Sequence, residues 1–193
     1  MAAGMALCGL RPVAYTIAPF ITTRCLEQIK LDVCYQNAPV VIVGVGAGMS
    51  YASLGATHHS FEDVAILRCL PGITILCPGD AFEARAALNA SLANNGPTYI
   101  RLGKKNEPRI HSSIPPFTIG EPICVHEGNE VCILSTGVVL PLACAIRNVL
   151  SERHIDCAVW SHHTVKPLNT SFLAKCFGTN RLVVTIEEHS IAG

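Results

Sequence analysis

VIVGVGAGMSYASLGATHHS, residues 41–60, passes from a stretch rich in valine and isoleucine into three alternating glycines and ends on paired histidines. An apolar run so dense in β-branched residues predicts a strand buried on both faces, as in a parallel sheet. Glycines at the end of such a strand invite comparison with a dinucleotide loop. That loop needs G-x-G-x-x-G and then at once a helix whose N-terminus faces the pyrophosphate. Here the spacing fails: Gly44, Gly46 and Gly48 alternate, Met49 occupies the third glycine position, and no helix signal precedes Ser60. No G-K-[ST] follows, so a P-loop is also absent. The glycines instead predict a tight bend where a strand end packs beneath its neighbours.

Outward from this stretch, strand-length apolar runs alternate with segments of helical period. The pattern predicts an α/β chain with a parallel sheet. Strands are expected at Pro12 to Thr16, Pro39 to Val45, Ile73 to Cys77 and Thr98 to Leu102, with helices near Phe20 to Cys34, Phe61 to Leu70 and Ala81 to Asn94. The opening MAAGMALCGL reads as a helix of the fold. Ser60 with Asp63, and Asp80 with Glu83, have capping-box spacing. Four prolines in residues 107–128 predict a linker over the surface. The expected domains are thus 1–106 and a smaller α/β unit, 129–193. Within the latter, strands are expected at Glu130 to Ser135, Asp156 to Trp160 and Leu182 to Glu187, with a helix at Leu140 to Glu152.

Half of the 193 residues are apolar, 15% are charged and the formal charge is zero. This composition carries no basic footprint for nucleic acid. No apolar run approaches the roughly 20 residues of a membrane span. Sparse charge predicts sticky faces and a dimer or higher oligomer. Ten cysteines, none in a CxxC pair, read as small hydrophobes of a reducing cytoplasm. The histidine pairs 58/59 and 162/163 lack metal-ligand spacing, so no metal site is expected.

LGATHHSFEDVAILRCLPGITILCPGDAFEA (54–84) resembles a T-H…E-D…R…P…P-x-D segment of the transketolase family. TIAPFITTRCLEQIKLDVCYQNAPVVIVGVGAG (16–48), VKPLN (165–169) and VVTIEEHSIAG (183–193) resemble its other elements in the same order. The resemblance implies a parallel-sheet pyrimidine-binding domain followed by the family's smaller C-terminal domain, truncated at both ends. It also implies thiamine diphosphate with Mg, the diphosphate and metal being held by another domain or chain because no GDG motif is present. The implied activity is transfer of a two-carbon ketol unit between sugar phosphates, with an N-terminal transketolase-like subunit or domain as partner.

Carried over residue by residue, the resemblance makes Phe20 the ring that stacks on the aminopyrimidine and Ile17 an apolar contact beside it. His58 becomes the histidine at the reacting end of the sugar, and Lys104 the substrate-phosphate reader, with Arg101 or Lys105 as neighbours able to do the same. His58 is expected near a positive helix end, which favours a neutral ring suited to proton transfer. His59 is expected to be structural. Glu187, Glu188 and His189 are expected near the domain interface. Gly46 and Leu54 stand where the family has a histidine and an aspartate. The family's glutamate that hydrogen-bonds the pyrimidine precedes the A-A-G-x-A segment, here the opening MAAGMALCG. The chain alone is therefore expected to be inactive. Other readings of the same residues are a non-catalytic interaction protein, a 2-oxoacid dehydrogenase β subunit and a deoxyxylulose-phosphate synthase.

Overall fold

The computed structural model describes residues 1–193. Two sheets, each dominated by parallel strands, are packed together. The first runs β1-β2-β4-β3-β8, where β1 is Val13–Ile17, β2 Val41–Val45, β3 Thr74–Leu76, β4 Thr98–Leu102 and β8 Thr164–Lys166. The first four are parallel, and β8 joins antiparallel to β3. All five residues of β2 are buried. Alternation along the strands sends Ile42, Ile75 and Tyr99 to one face, under the helix α4 (Asp63–Arg68), and Val41, Val43, Val45 and Ile100 to the other, under α5 (Ala81–Ala93).

The second sheet runs β5-β7-β6-β9, with β5 Ile123–His126, β6 Val131–Thr136, β7 Cys157–Ser161 and β9 Leu182–Glu187. On one face of it Ile133 and Val159 pack against Leu140 and Ala143 of α6 (Leu140–Glu152). On the other, Cys132 and Leu134 pack against Cys176 of α7 (Thr170–Thr179).

Several elements depart from the sequence reading. The helix expected over Phe20 to Cys34 is broken into α2 (Ala18–Ile21), a 3-10 turn, α3 (Leu26–Gln28) and a π-helical stretch over Ile29–Cys34. The proline-bearing span 107–128 includes β5, which pairs with β7. β8 leaves the second half of the chain to extend the first sheet, so the two sheets share chain as well as surface. The adjacent His162 and His163 fasten that junction: the His163 carbonyl accepts the Cys77 N–H (2.6 Å), and the His162 N–H donates to the Ser135 carbonyl (2.8 Å).

The two capping boxes resolve differently. Asp80 caps α5, its Oδ1 accepting from the N–H groups of Phe82 and Glu83. Glu83 reaches one residue past the cap to the Gly79 N–H (2.7 Å) and also accepts from Ser161 Oγ (2.8 Å). Asp63 is no capping partner of Ser60: α4 begins after Glu62 without a side-chain cap, and the Asp63 carboxylate turns inward.

Candidate functional site

The three glycines are explained by what lies against them. A Cβ on Gly44 would stand 2.5 Å from the Tyr99 hydroxyl; one on Gly46 would enter the Tyr51 ring, and one on Gly48 the Glu188 carboxylate. Gly46 and Gly48 also hold φ of +70° and +63°, a region that glycine enters without steric cost. The bend predicted from the glycine spacing is present, closed by a bridge between Gly48 and Ser60.

Beneath the bend lies a buried polar network. Asp63, fully buried, accepts from the Tyr99 hydroxyl (2.6 Å) and from Arg101 Nε (3.0 and 3.2 Å). Arg101 Nη2 donates to the carbonyls of Ser60 (3.1 Å) and Glu188 (2.8 Å). Burial, and then the Asp63 charge, push the Tyr99 phenol well above its ordinary range. Burial alone would lower the Arg101 pKa, but Asp63 leads a set of opposing effects that raises it. From the second sheet, Glu188 Oε1 accepts the Met49 N–H (3.0 Å), the Ser190 N–H donates to the Phe61 carbonyl (2.9 Å), and His189 Nε2 accepts from the Ala65 N–H (3.4 Å). The E-E-H segment therefore clamps the loop that carries the paired histidines.

On the outer side of this loop three rings and two cations form a line. Phe20, in α2, meets the His58 ring edge-on with centroids 5.1 Å apart. His58 lies 6.1 Å from the Tyr51 ring. Arg24 covers Phe20 at 3.9 Å, and the Lys104 ammonium stands 4.5 Å from the Tyr51 centroid. Both cations meet rings at distances where cation–π attraction operates. Thus Phe20, His58 and Lys104, far apart in sequence, come together at the carboxyl ends of β1, β2 and β4, where open α/β sheets bind ligands. Ile17, the last residue of β1, is half-buried at the same edge.

Two expectations change. His58 sits in a turn, and the next helix begins only at Asp63, so no helix end reaches it. Thr57 Oγ1 is instead its neighbour, 2.9 Å from Nδ1. Arg101 is consumed by Asp63 and does not reach out to read a phosphate; Lys104 and Lys105 are exposed. Tyr51 and Arg24 join the site without having been singled out by sequence reasoning. The signal for Tyr51 lay in Gly46, since a glycine in a bend leaves room for a ring. No group of three or more His, Cys, Asp or Glu side chains is arranged to hold a metal ion, and no helix is long and apolar enough to cross a membrane.

Comparison with known proteins agrees with this fold. Residues 1–109 match the model of the transketolase pyrimidine-binding domain, and residues 120–193 that of the transketolase C-terminal domain. The whole chain is 33% identical to one subunit of the apulose-4-phosphate transketolase of Actinobacillus succinogenes, spanning 62% of that protein. It is 36% identical to a 6-deoxy-6-sulfo-D-fructose transketolase subunit of a Clostridium species, spanning 60% of it. A solved structure described as a split gene transketolase, an inactive beta4 tetramer, superposes on the entire chain with a TM-score of 0.91 at 32% identity, again over 62% of its own length. The chain thus spans about 60% of the curated relatives it matches. With more than half of its residues in the first family model and the second covering most of the rest, the chain belongs to the transketolase family.

Proposed function

We propose that this chain supplies the pyrimidine-facing half of a thiamine diphosphate site, in an assembly that transfers a two-carbon ketol unit between sugar phosphates in the cytoplasm. The observation that carries the reading is the convergence of Phe20, His58, Tyr51 and Lys104 on one edge of the first sheet. Phe20, half-buried and pinned by Arg24, offers a flat aromatic face with Ile17 as apolar support, which fits an aminopyrimidine. The donor set for Mg and diphosphate falls to an N-terminal transketolase-like subunit or domain, and a dimer or higher oligomer brings the halves together.

When bound, thiamine diphosphate supplies the carbanion-stabilising chemistry. This chain's part is to orient and to move protons. In the tautomer whose Nδ1 accepts from Thr57 Oγ1, His58 carries its proton on Nε2 and can donate to a sugar hydroxyl or carbonyl. Lys104, exposed beyond Tyr51, is placed as a point charge for the sugar phosphate.

The test is activity of the native assembly, isolated with its partner, on ketose phosphates and on pyruvate. Phe20→Ala is expected to weaken thiamine diphosphate about tenfold or more through lost stacking. His58→Ala is expected to lower kcat by about 10²-fold, within the usual range for a proton-transfer group. Unchanged cofactor affinity and kcat in both variants, or turnover of pyruvate alone, would overturn the reading.

A further inference from the structure

A second site lies away from the aromatic line. At the carboxyl ends of β6 and β9, where the second sheet meets α4 and α7, is a cleft of about 210 Å³. The chain leaves β6 through α6 to β7 on one side and returns through α7 to β9 on the other. The cleft therefore sits at the switch point of this sheet, the place where open α/β sheets hold ligands. Its polar wall is Arg68, Thr136, His162, Thr185 and Glu187, set against leucine and valine side chains.

Neither the Arg68 guanidinium nor the Glu187 carboxylate enters any ion pair within the chain. His162 is only 7% exposed, and its Nε2 is closed off from the cleft, so the ring serves as wall. The wall also constrains the ligand's charge. A simple anion at Arg68 would meet Glu187, and a diamine at Glu187 would meet Arg68. The space corresponds to about seven water volumes, enough for a small metabolite.

We propose that this cleft binds a free α-amino acid, its carboxylate on Arg68 and its ammonium group on Glu187, with its side chain toward the leucine and valine wall. Glu187 directly precedes Glu188, which holds the Met49 N–H in the glycine bend. A ligand in the cleft is thus one residue from the clamp on the His58 loop. The proposal does not depend on the cofactor reading and is tested without it.

The experiment is saturation-transfer NMR on the full chain with the twenty amino acids, followed by calorimetric titration of those that respond. Inorganic phosphate and putrescine serve as probes of single charge sign. Transfer to at least one amino acid is expected, with Kd raised about tenfold or more by Arg68→Ala and by Glu187→Gln, since each removes a charged hydrogen-bond partner. Both residues are exposed, so both variants should fold, as circular dichroism would verify. The proposal is overturned if no amino acid receives saturation, if phosphate or putrescine binds in their place, or if amino-acid affinity survives both substitutions.

Discussion

Replacing Asp63 with Asn tests whether the network under the glycine bend holds the fold. The substitution keeps the side chain's shape and one acceptor oxygen but removes the charge that Arg101 faces at 3.0 Å in a fully buried position. Breaking a buried pair by removing one partner costs about 3–5 kcal/mol, because the remaining charge stays desolvated. Arg101 keeps the Ser60 and Glu188 carbonyls, so the lower end, about 3 kcal/mol, is expected. For a chain of this size that corresponds to a fall in Tm of about 6–12 °C. Urea unfolding followed by far-UV circular dichroism gives the free energy. The fluorescence of Trp160, the single tryptophan, reports the second sheet. Its transition should move with the first, since Arg101 also holds the Glu188 carbonyl that follows β9. The double variant Asp63→Asn with Arg101→Met removes both charges and should recover about 2 kcal/mol relative to the sum of the single losses. A loss below about 1 kcal/mol for Asp63→Asn, or strict additivity in the cycle, would refute the reasoning.

Further outcomes follow from the same geometry. The His163 ring is fully buried against Phe117, and burial lowers its pKa to about 4. The unfolded chain, with an ordinary histidine pKa near 6.5, therefore binds the proton first. Stability should fall by about 3 kcal/mol as pH drops from 6.5 to 4, and His163→Phe should flatten that slope in urea midpoints. His111 has the opposite sign: its hydrogen bond to Glu83 raises its pKa above 6.5. Its contribution is complete below 6.5 and is lost as pH rises through the folded value, so His111→Gln should cost more stability at pH 6 than at pH 9. Gly48→Ala should cost about 2–3 kcal/mol, from a left-handed alanine and a displaced Glu188 carboxylate. Adding Glu188→Ala should cost less than the sum if the two residues compete for one space, and strict additivity in denaturation would show that they do not.

What the sequence disclosed and what it hid separate along the range of the interactions. Thr98–Leu102, Leu140–Glu152 and Leu182–Glu187 have the bounds expected from apolar periodicity, because strand and helix periods are local signals. β8 could not be found in the same way. Thr164-Val165-Lys166 is three residues long, and it is a strand because β3, nearly ninety positions earlier, offers an open edge. The role of Asp63 is hidden for a related reason. Its spacing from Ser60 fits a cap, but a carboxylate goes to the stronger partner, and that partner is supplied by β4. There the sequence did carry a clue, since TYIRL is an apolar strand with an arginine in it. Alternation puts Tyr99 and Arg101 on one face, and an arginine on a buried face requires a carboxylate. The E-D pair at the start of α4 lies on that same face of the sheet. Reading the arginine before the cap would have joined the glycines, the histidine loop and the end of the last strand into one unit, because Arg101, paired with Asp63, holds the carbonyls of Ser60, which bridges Gly48, and of Glu188.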